Sequence, residues 1–272
     1  MVNMRIAVLG ATGYLGSLVT QYLSNKKSYS VISVTRSDLN LEDFHSVRNW
    51  LIETKPHAIV NCAVAGGQLT VNDINYPDLQ NNLNIFLNFY NNSDLFERFI
   101  NIGSGSEFNA RLSIDNAKEE DIFTSAPLET YAYSKNVISR LAFEKDKFYT
   151  LRLFGCFDKS EPNFRLLKKF IKSDSFEFQN RKFDYISSKD FLIILEHYLT
   201  SQDILYKDIN CVYNNKVWLS DILETFKRLH RIPNTLKITG INILNYTGSS
   251  SKLDLLDLNL NGLEKSLRLY FE

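Results

Sequence analysis

The sequence predicts an α/β protein on a doubly wound parallel sheet, with a smaller C-terminal lobe. Three observations predict it. Short apolar runs alternate with helically periodic segments, a glycine turn joins the first run to the first helix, and the alternation persists to Phe154 before loosening.

The elements follow in order. Residues 4–9 form an apolar run that ends at glycine, and Leu15, Leu18, Val19, Tyr22 and Leu23 then recur at helical spacing. The next strand is expected at 31–34, and Phe44, Val47 and Leu51 mark a helix after it. A buried run at 57–63 and a helix at 82–90 come next, then strands at 99–102 and 149–154 with a helix over 130–143 between them. Such alternation places ligands at the carboxyl ends of the strands. Residues 158–182 are polar and basic, 217–272 read as helical fragments with little strand, and 183–213 reads as a return to the sheet. The expected organisation is a nucleotide-binding unit at 1–157 and a substrate lobe at 158–272, interleaved rather than separate.

Composition narrows the function. The chain has 272 residues, 44% of them apolar, with 31 basic and 31 acidic side chains. That suffices for a core and gives no global field for nucleic acid or an anionic membrane, so an anionic ligand must be held by local groups. The first residues run straight into a strand without a basic leader, and no apolar run is long enough to span a bilayer, so a cytoplasmic protein is expected. Cys62, Cys156 and Cys211 are odd in number and widely spaced, and His45, His57, His197 and His230 are scattered. Buried thiols are expected, with neither disulfide nor metal site.

Gly10-Ala11-Thr12-Gly13-Tyr14-Leu15-Gly16 lies between the first strand and the first helix. Glycines there allow a tight turn, a close approach of backbone to a pyrophosphate, and a helix N-terminus aimed at the anion. Ala11 stands where a strict G-x-G-x-x-G has its first glycine. Contact with a dinucleotide is expected at Gly10, Thr12, Gly13, Tyr14, Leu15 and Gly16, making the sheet Rossmann-type. The second strand ends Ser33-Val34-Thr35-Arg36-Ser37, without the acid that would hold ribose hydroxyls of NAD. Arg36 suits a 2′-phosphate and Thr35 and Ser37 add hydroxyl donors, so NADP is expected over NAD.

Tyr131 and Lys135 are four residues apart and share a helix face. A phenol titrates near ~10 and needs help to exchange protons at neutral pH, which a neighbouring ammonium provides. Tyr133 lacks such a partner, since Val137 lies four residues on, and Pro127 suits the start of the helix. Upstream, the strand at 99–102 runs into Ser104, whose hydroxyl the sheet delivers to the same crevice. These residues make a general acid/base, its cationic neighbour and a carbonyl-orienting hydroxyl.

With these motifs the chain resembles the extended branch of the short-chain dehydrogenase/reductase superfamily, which includes sugar-nucleotide epimerases, dehydratases and reductases. Gly10 to Gly16 resembles the family's G-x-x-G-x-x-G, and Pro127 to Lys135 its P-x-x-x-Y-x-x-x-K. The stretches 152–155, 181–190 and 210–213 are similar to later family segments. Asn61-Cys62-Ala63 resembles the family's fourth-strand end near the nicotinamide-side ribose, and Asn82 the helix asparagine beyond it. The resemblance therefore implies cofactor contact at Cys62, Ala63, Asn82, Tyr131 and Lys135.

Residues 34–43 and 102–104 look most like those of 4-keto-6-deoxy-sugar-nucleotide reductases such as GDP-fucose synthase. Gly105 and Ser106 stand where dehydratases carry Asp-Glu, and Ser106 where GDP-fucose synthase has cysteine. Both departures favour simple carbonyl reduction. The resemblance implies NADPH-dependent reduction at C4 of a nucleotide sugar in deoxysugar or polysaccharide synthesis, by a homodimer. Ser104, Tyr131 and Lys135 would be catalytic; Ser104, Ser106, Arg165 and Arg181 would face the substrate. A 4-epimerase retaining NAD is the alternative, and a non-catalytic NADP-binding regulator a further one.

Overall fold

A computed structural model of the chain describes residues 3–65, 76–241 and 244–272; residues 1–2 and 66–75 of the expected first unit, and 242–243 of the second, lie outside the described residues. The alternation runs β1 (Met4–Leu9), α1 (Tyr14–Ser24), β2 (Tyr29–Val34), α2 (Phe44–Thr54), β3 (Ala58–Asn61), α3 (Tyr76–Tyr90) and β4 (Arg98–Ser104). A single 3-10 turn, Gly105–Phe108, follows β4 directly. Then come β5 (Ile114–Ala117), α4 (Thr130–Glu144), β6 (Phe148–Leu153), β7 (Cys156–Phe157), α5 (Leu166–Ile171), β8 (Ser175–Asn180) and β9 (Ile186–Ser187). The chain ends with α6 (Ser188–Thr200), β10 (Asp208–Cys211), α7 (Leu219–His230), β11 (Thr235–Ile241), β12 (Tyr246–Gly248), α8 (Ser251–Asp254) and α9 (Leu263–Arg268).

Six strands form one parallel sheet in the order β10-β6-β4-β3-β1-β2. Successive residues of a strand face opposite sides. Ile6, Val8, Val60, Ile100 and Leu151 pack with Val19 and Leu23 of α1 and Leu195 and Tyr198 of α6. Ala7, Leu9, Ile59, Phe99 and Phe148 pack instead with Leu51 of α2, Phe86 and Phe89 of α3, and Ile138 and Ala142 of α4. Both faces are covered, which explains why the strands read as unbroken apolar runs. A separate core joins Leu167, Phe170, Leu223, Phe226 and Tyr270 of the C-terminal region. No helix among the described residues is long and apolar enough to cross a membrane.

Several details differ from the sequence expectations. α3 begins at Tyr76, earlier than residue 82. Pro127 precedes the N-cap Glu129 of α4, so it shapes the approach rather than the first turn. The C-terminal region holds more strand than expected: β11 pairs in parallel with β8, and β12 with β5. Those pairings link distant segments, and local periodicity carries no trace of them.

Candidate active site

The order of the sheet reverses between β1 and β3, so their carboxyl ends open a crevice. Gly10 leaves β1 with φ at +72°, and a Cβ there would come within 2.8 Å of the Ala63 Cα. The N–H groups of Gly10 and Ala11 donate to the Val34 carbonyl at 3.0 and 3.2 Å, pinning the turn to the end of β2. A Cβ on Gly16 would collide with the Gly10 carbonyl oxygen, so only glycine lets α1 start this close to the loop. Gly13 is the N-cap and has no side-chain oxygen to offer. The N–H groups of Tyr14, Leu15 and Gly16 thus point to an outside acceptor, with Thr12 exposed at the tip. A pyrophosphate fits this cradle.

At the end of β2, Arg36 and Ser37 are exposed. The Thr35 and Ser37 hydroxyls lie 2.8 Å apart. Asp38 accepts from the Thr35 N–H at 2.8 Å and its hydroxyl at 2.6 Å, bonds that hold its carboxyl below the usual range. The Arg36 guanidinium enters no ion pair among the described residues. A phosphate monoester finds a free cation here.

On the other side of Gly10, the Cys62 N–H donates to the Leu9 carbonyl at 3.1 Å and the Ala63 N–H to Asn61 Oδ1 at 3.2 Å. The Asn82 amide is engaged with both backbone groups of Ala65, at 2.8 and 3.1 Å, and with the Ser134 hydroxyl at 3.3 Å. It braces the loop after β3 against α4. Burial pushes the Cys62 thiol up to about 12, with the Lys135 charge pulling the other way.

Ser104 ends β4 and caps the turn behind it. Its hydroxyl is 2.9 Å from that of Ser106 and accepts from the Ser106 N–H at 3.3 Å. Tyr131 and Lys135 project from the first turns of α4. Tyr133 is exposed, whereas Lys135 is only 5% exposed and its ammonium donates to the Ile102 carbonyl at 2.8 Å. The Tyr131 phenol lies close enough to Ser104 for that hydroxyl to act on its proton affinity. Burial pushes that phenol up, Ser104 and the Arg165 charge pull it down, and Glu107 adds to the rise. The bond to the Ile102 carbonyl uses one of the three donors of the Lys135 ammonium.

Arg165 and Arg181 reach the crevice differently. Arg165 donates to the Cys156 carbonyl at 2.7 Å and lies 4.0 Å from Glu161, with its guanidinium 5.4 Å from the Tyr14 ring. It sits beside the glycine turn and acts electrostatically on Tyr131 as well. The Arg181 guanidinium rests 5.4 Å from the Phe183 ring and 5.8 Å from that of Tyr246. It enters no ion pair among the described residues, and burial lowers its proton affinity.

Tyr246 was not visible from sequence. It comes from β12, stacks on Phe183 and meets Phe154 edge-on at 5.1 Å. Its phenol lies in the surroundings of Ser104 and Tyr131, and burial pushes it well above the ordinary tyrosine range. No local motif marks it. The nearest signal is Gly248, where a Cβ would come within 2.6 Å of the Phe154 ring, so the segment has to pass close to the site.

Residues 6–157 match the sequence profile described as NAD dependent epimerase/dehydratase family. The chain belongs to that family. Its fold is also that of several solved members. A GDP-mannoheptose C4 reductase from Campylobacter jejuni, solved with NADP bound, superposes with a TM-score of 0.82 over 99% of this chain and 97% of the other, at 18% identity. A dTDP-4-dehydrorhamnose reductase from Clostridium acetobutylicum gives 0.80 over 98% of each chain, also at 18% identity. A GDP-L-fucose synthetase from Naegleria fowleri, bound to NADP, gives 0.79 over 99% and 93% at 15% identity. No curated protein sequence matches the chain. At these identities the likeness to the solved structures is one of fold.

Proposed function

We propose that this protein uses NADPH to reduce the C4 carbonyl of a nucleotide-linked 4-keto-6-deoxyhexose. The observation that carries the reading is that Ser104, Tyr131 and Lys135 lie with the glycine cradle toward the carboxyl ends of the sheet strands, on a backbone shared with reductases of nucleotide-linked sugars. NADPH, when bound, supplies the hydride. The N–H groups at 14–16 take its pyrophosphate, with Gly10, Thr12 and Gly13 shaping the loop, and Thr35, Arg36 and Ser37 take the 2′-phosphate. Cys62 and Ala63 line the nicotinamide side, Asn82 stands behind them, and Lys135 holds ribose hydroxyls.

Ser104 orients the substrate carbonyl and supports its growing negative charge, while Tyr131 donates the proton. Lys135 and solvent restore that proton. Ser106 extends the hydroxyl pair toward the sugar. Arg165 and Arg181 take the sugar diphosphate. Arg181 supports this role because a half-buried guanidinium without a carboxylate gains most from an arriving anion.

In this reading residues 1–157 bind the cofactor and 158–272 mainly the substrate, with 183–213 belonging to the cofactor-side sheet. A cytoplasmic homodimer is part of the same proposal; the exposed Tyr133 and Phe143 on α4 offer apolar surface for pairing. The test is NADPH oxidation against GDP-, dTDP-, UDP- and CDP-linked 4-keto-6-deoxyhexoses, with NADH in parallel. Turnover with one of them and a preference for NADPH is the expected result. Absence of turnover, with NAD co-purifying, would replace the proposal with a 4-epimerase.

A further inference from the structure

Behind Ser104 lies a buried carboxylate that the proposed reaction does not use. Glu107 is 0% exposed, as is Arg152. Glu107 Oε1 accepts from the Ser104 N–H at 2.7 Å, and Oε2 accepts from Arg152 Nε at 2.7 Å. Arg152 stands on β6 and is itself held from β10, by Asn210 Oδ1 at 3.1 Å and Asp208 Oδ2 at 3.5 Å. Asn136, next to Lys135 on α4, donates to the Glu107 carbonyl at 2.9 Å. One residue thus ties the serine turn to two strands and to the helix of the acid/base pair.

Stability alone is a weak reason for this arrangement. A dry ion pair gains little net free energy over apolar side chains of the same size, because both charges must be stripped of water. Position is a better one. The 3-10 turn Gly105–Phe108 is too short to hold its own shape, and two bonds, from the Ser104 N–H to Glu107 and from the Ser106 N–H to the Ser104 hydroxyl, fix where that turn begins. With the backbone of Ser104 fixed, its hydroxyl is held against Ser106, in the surroundings of the Tyr131 and Tyr246 phenols. Neither oxygen of Glu107 is left over for proton transfer.

We propose that Glu107, clamped by Arg152, is a positioning residue that holds the Ser104 hydroxyl in register with Tyr131. The pair acts through Ser104 and touches no reacting atom. Its kinetic readouts rest on the reductase reading above.

Two variants test this. Glu107→Gln keeps an oxygen for the Ser104 N–H but turns the Arg152 contact unfavourable, and it risks misfolding. Glu107→Met with Arg152→Met removes both charges together, which buried pairs generally tolerate. Each folded variant is expected to lose about 10- to 100-fold in kcat, the scale of a misplacement of about an ångström. KM for the keto sugar and for NADPH should each move less than about threefold. In parallel, deuterium uptake at the Ser104 amide should rise. A double variant that turns over at the wild-type rate overturns the proposal. If the wild type reduces no sugar nucleotide, the reductase reading fails by itself and amide exchange decides this one: faster exchange at Ser104 in the double variant supports it, and unchanged protection overturns it.

Discussion

Around Gly10 the crevice is walled by backbone: the Gly10 carbonyl, the Ala63 main chain and the bare N–H groups opening α1. Around Ser104 it is walled by side chains from β6, α4 and β12, tied together by a buried ion pair and two phenols. The first wall works by what is missing, since a Cβ added at Gly10 or Gly16 would meet neighbouring backbone and force the loop apart. The second works by what is present, so single atoms can be removed from it with graded effect. A backbone cradle should therefore fail on substitution in a nearly all-or-none manner, and the polar cluster in steps.

The largest step belongs to the polar side. Tyr131→Phe deletes the proposed proton donor and should cut kcat by roughly a thousandfold. NADPH affinity, followed by fluorescence titration, should stay within about threefold of wild type. A variant still turning over at half the normal rate would remove Tyr131 from the chemistry. On the backbone side, Gly16→Ala drives a methyl into the Gly10 carbonyl. Overpacking of this kind costs about 1–3 kcal/mol, and NADPH binding should weaken by at least roughly tenfold with it. Calorimetry on the variant checks both; unchanged affinity would mean that the turn is no cradle.

Arg36→Ala sharpens the contrast within the cofactor wall, because here a side chain is added to the backbone frame. Loss of a charge-assisted contact of about 1.5–3 kcal/mol should lower kcat/KM for NADPH by roughly 10- to 100-fold and leave NADH untouched. An equal loss with both cofactors would assign Arg36 to the fold instead. The smallest effect is expected for Tyr246→Phe. It removes a buried hydroxyl beside Ser104; an effect on the scale of one neutral hydrogen bond, about 1 kcal/mol, should lower kcat roughly fivefold at constant melting temperature. No change in kcat would leave Tyr246 as packing against Phe183 and Phe154.

The same contrast governs what could be read in advance. The alternation of apolar runs and the glycine turn are local, and so are Tyr131 and Lys135 one helical turn apart; each is legible within a few residues of chain. Both faces of the sheet follow from residues such as Ile6 and Ala7, neighbours that pack to opposite sides. The pairing of Glu107 with Arg152 has no local signal, because nothing near either residue announces that β6 will lie beside β4 and bury both. Tyr246 is harder still. It depends on β12 finding β5 across the chain, in a region where the periodicity had already faded. Spacing puts Lys135 and Tyr131 on one face but does not announce that the ammonium also reaches the Ile102 carbonyl of β4.

The position of β10 has a consequence for how the protein is made. Its four residues close the outer edge of β6, and they follow β6 by more than fifty residues of chain. During synthesis the Gly10 loop and Ala63 have long since emerged when β6 appears, so five of the six strands stand on the ribosome with the outer edge of β6 bare. At roughly 5–20 residues per second that edge stays open for several seconds. A bare strand edge is an invitation to pair with a neighbouring nascent chain. The interval between β6 and β10 is therefore when this chain most needs a chaperone, and slow codons between them would prolong the exposure.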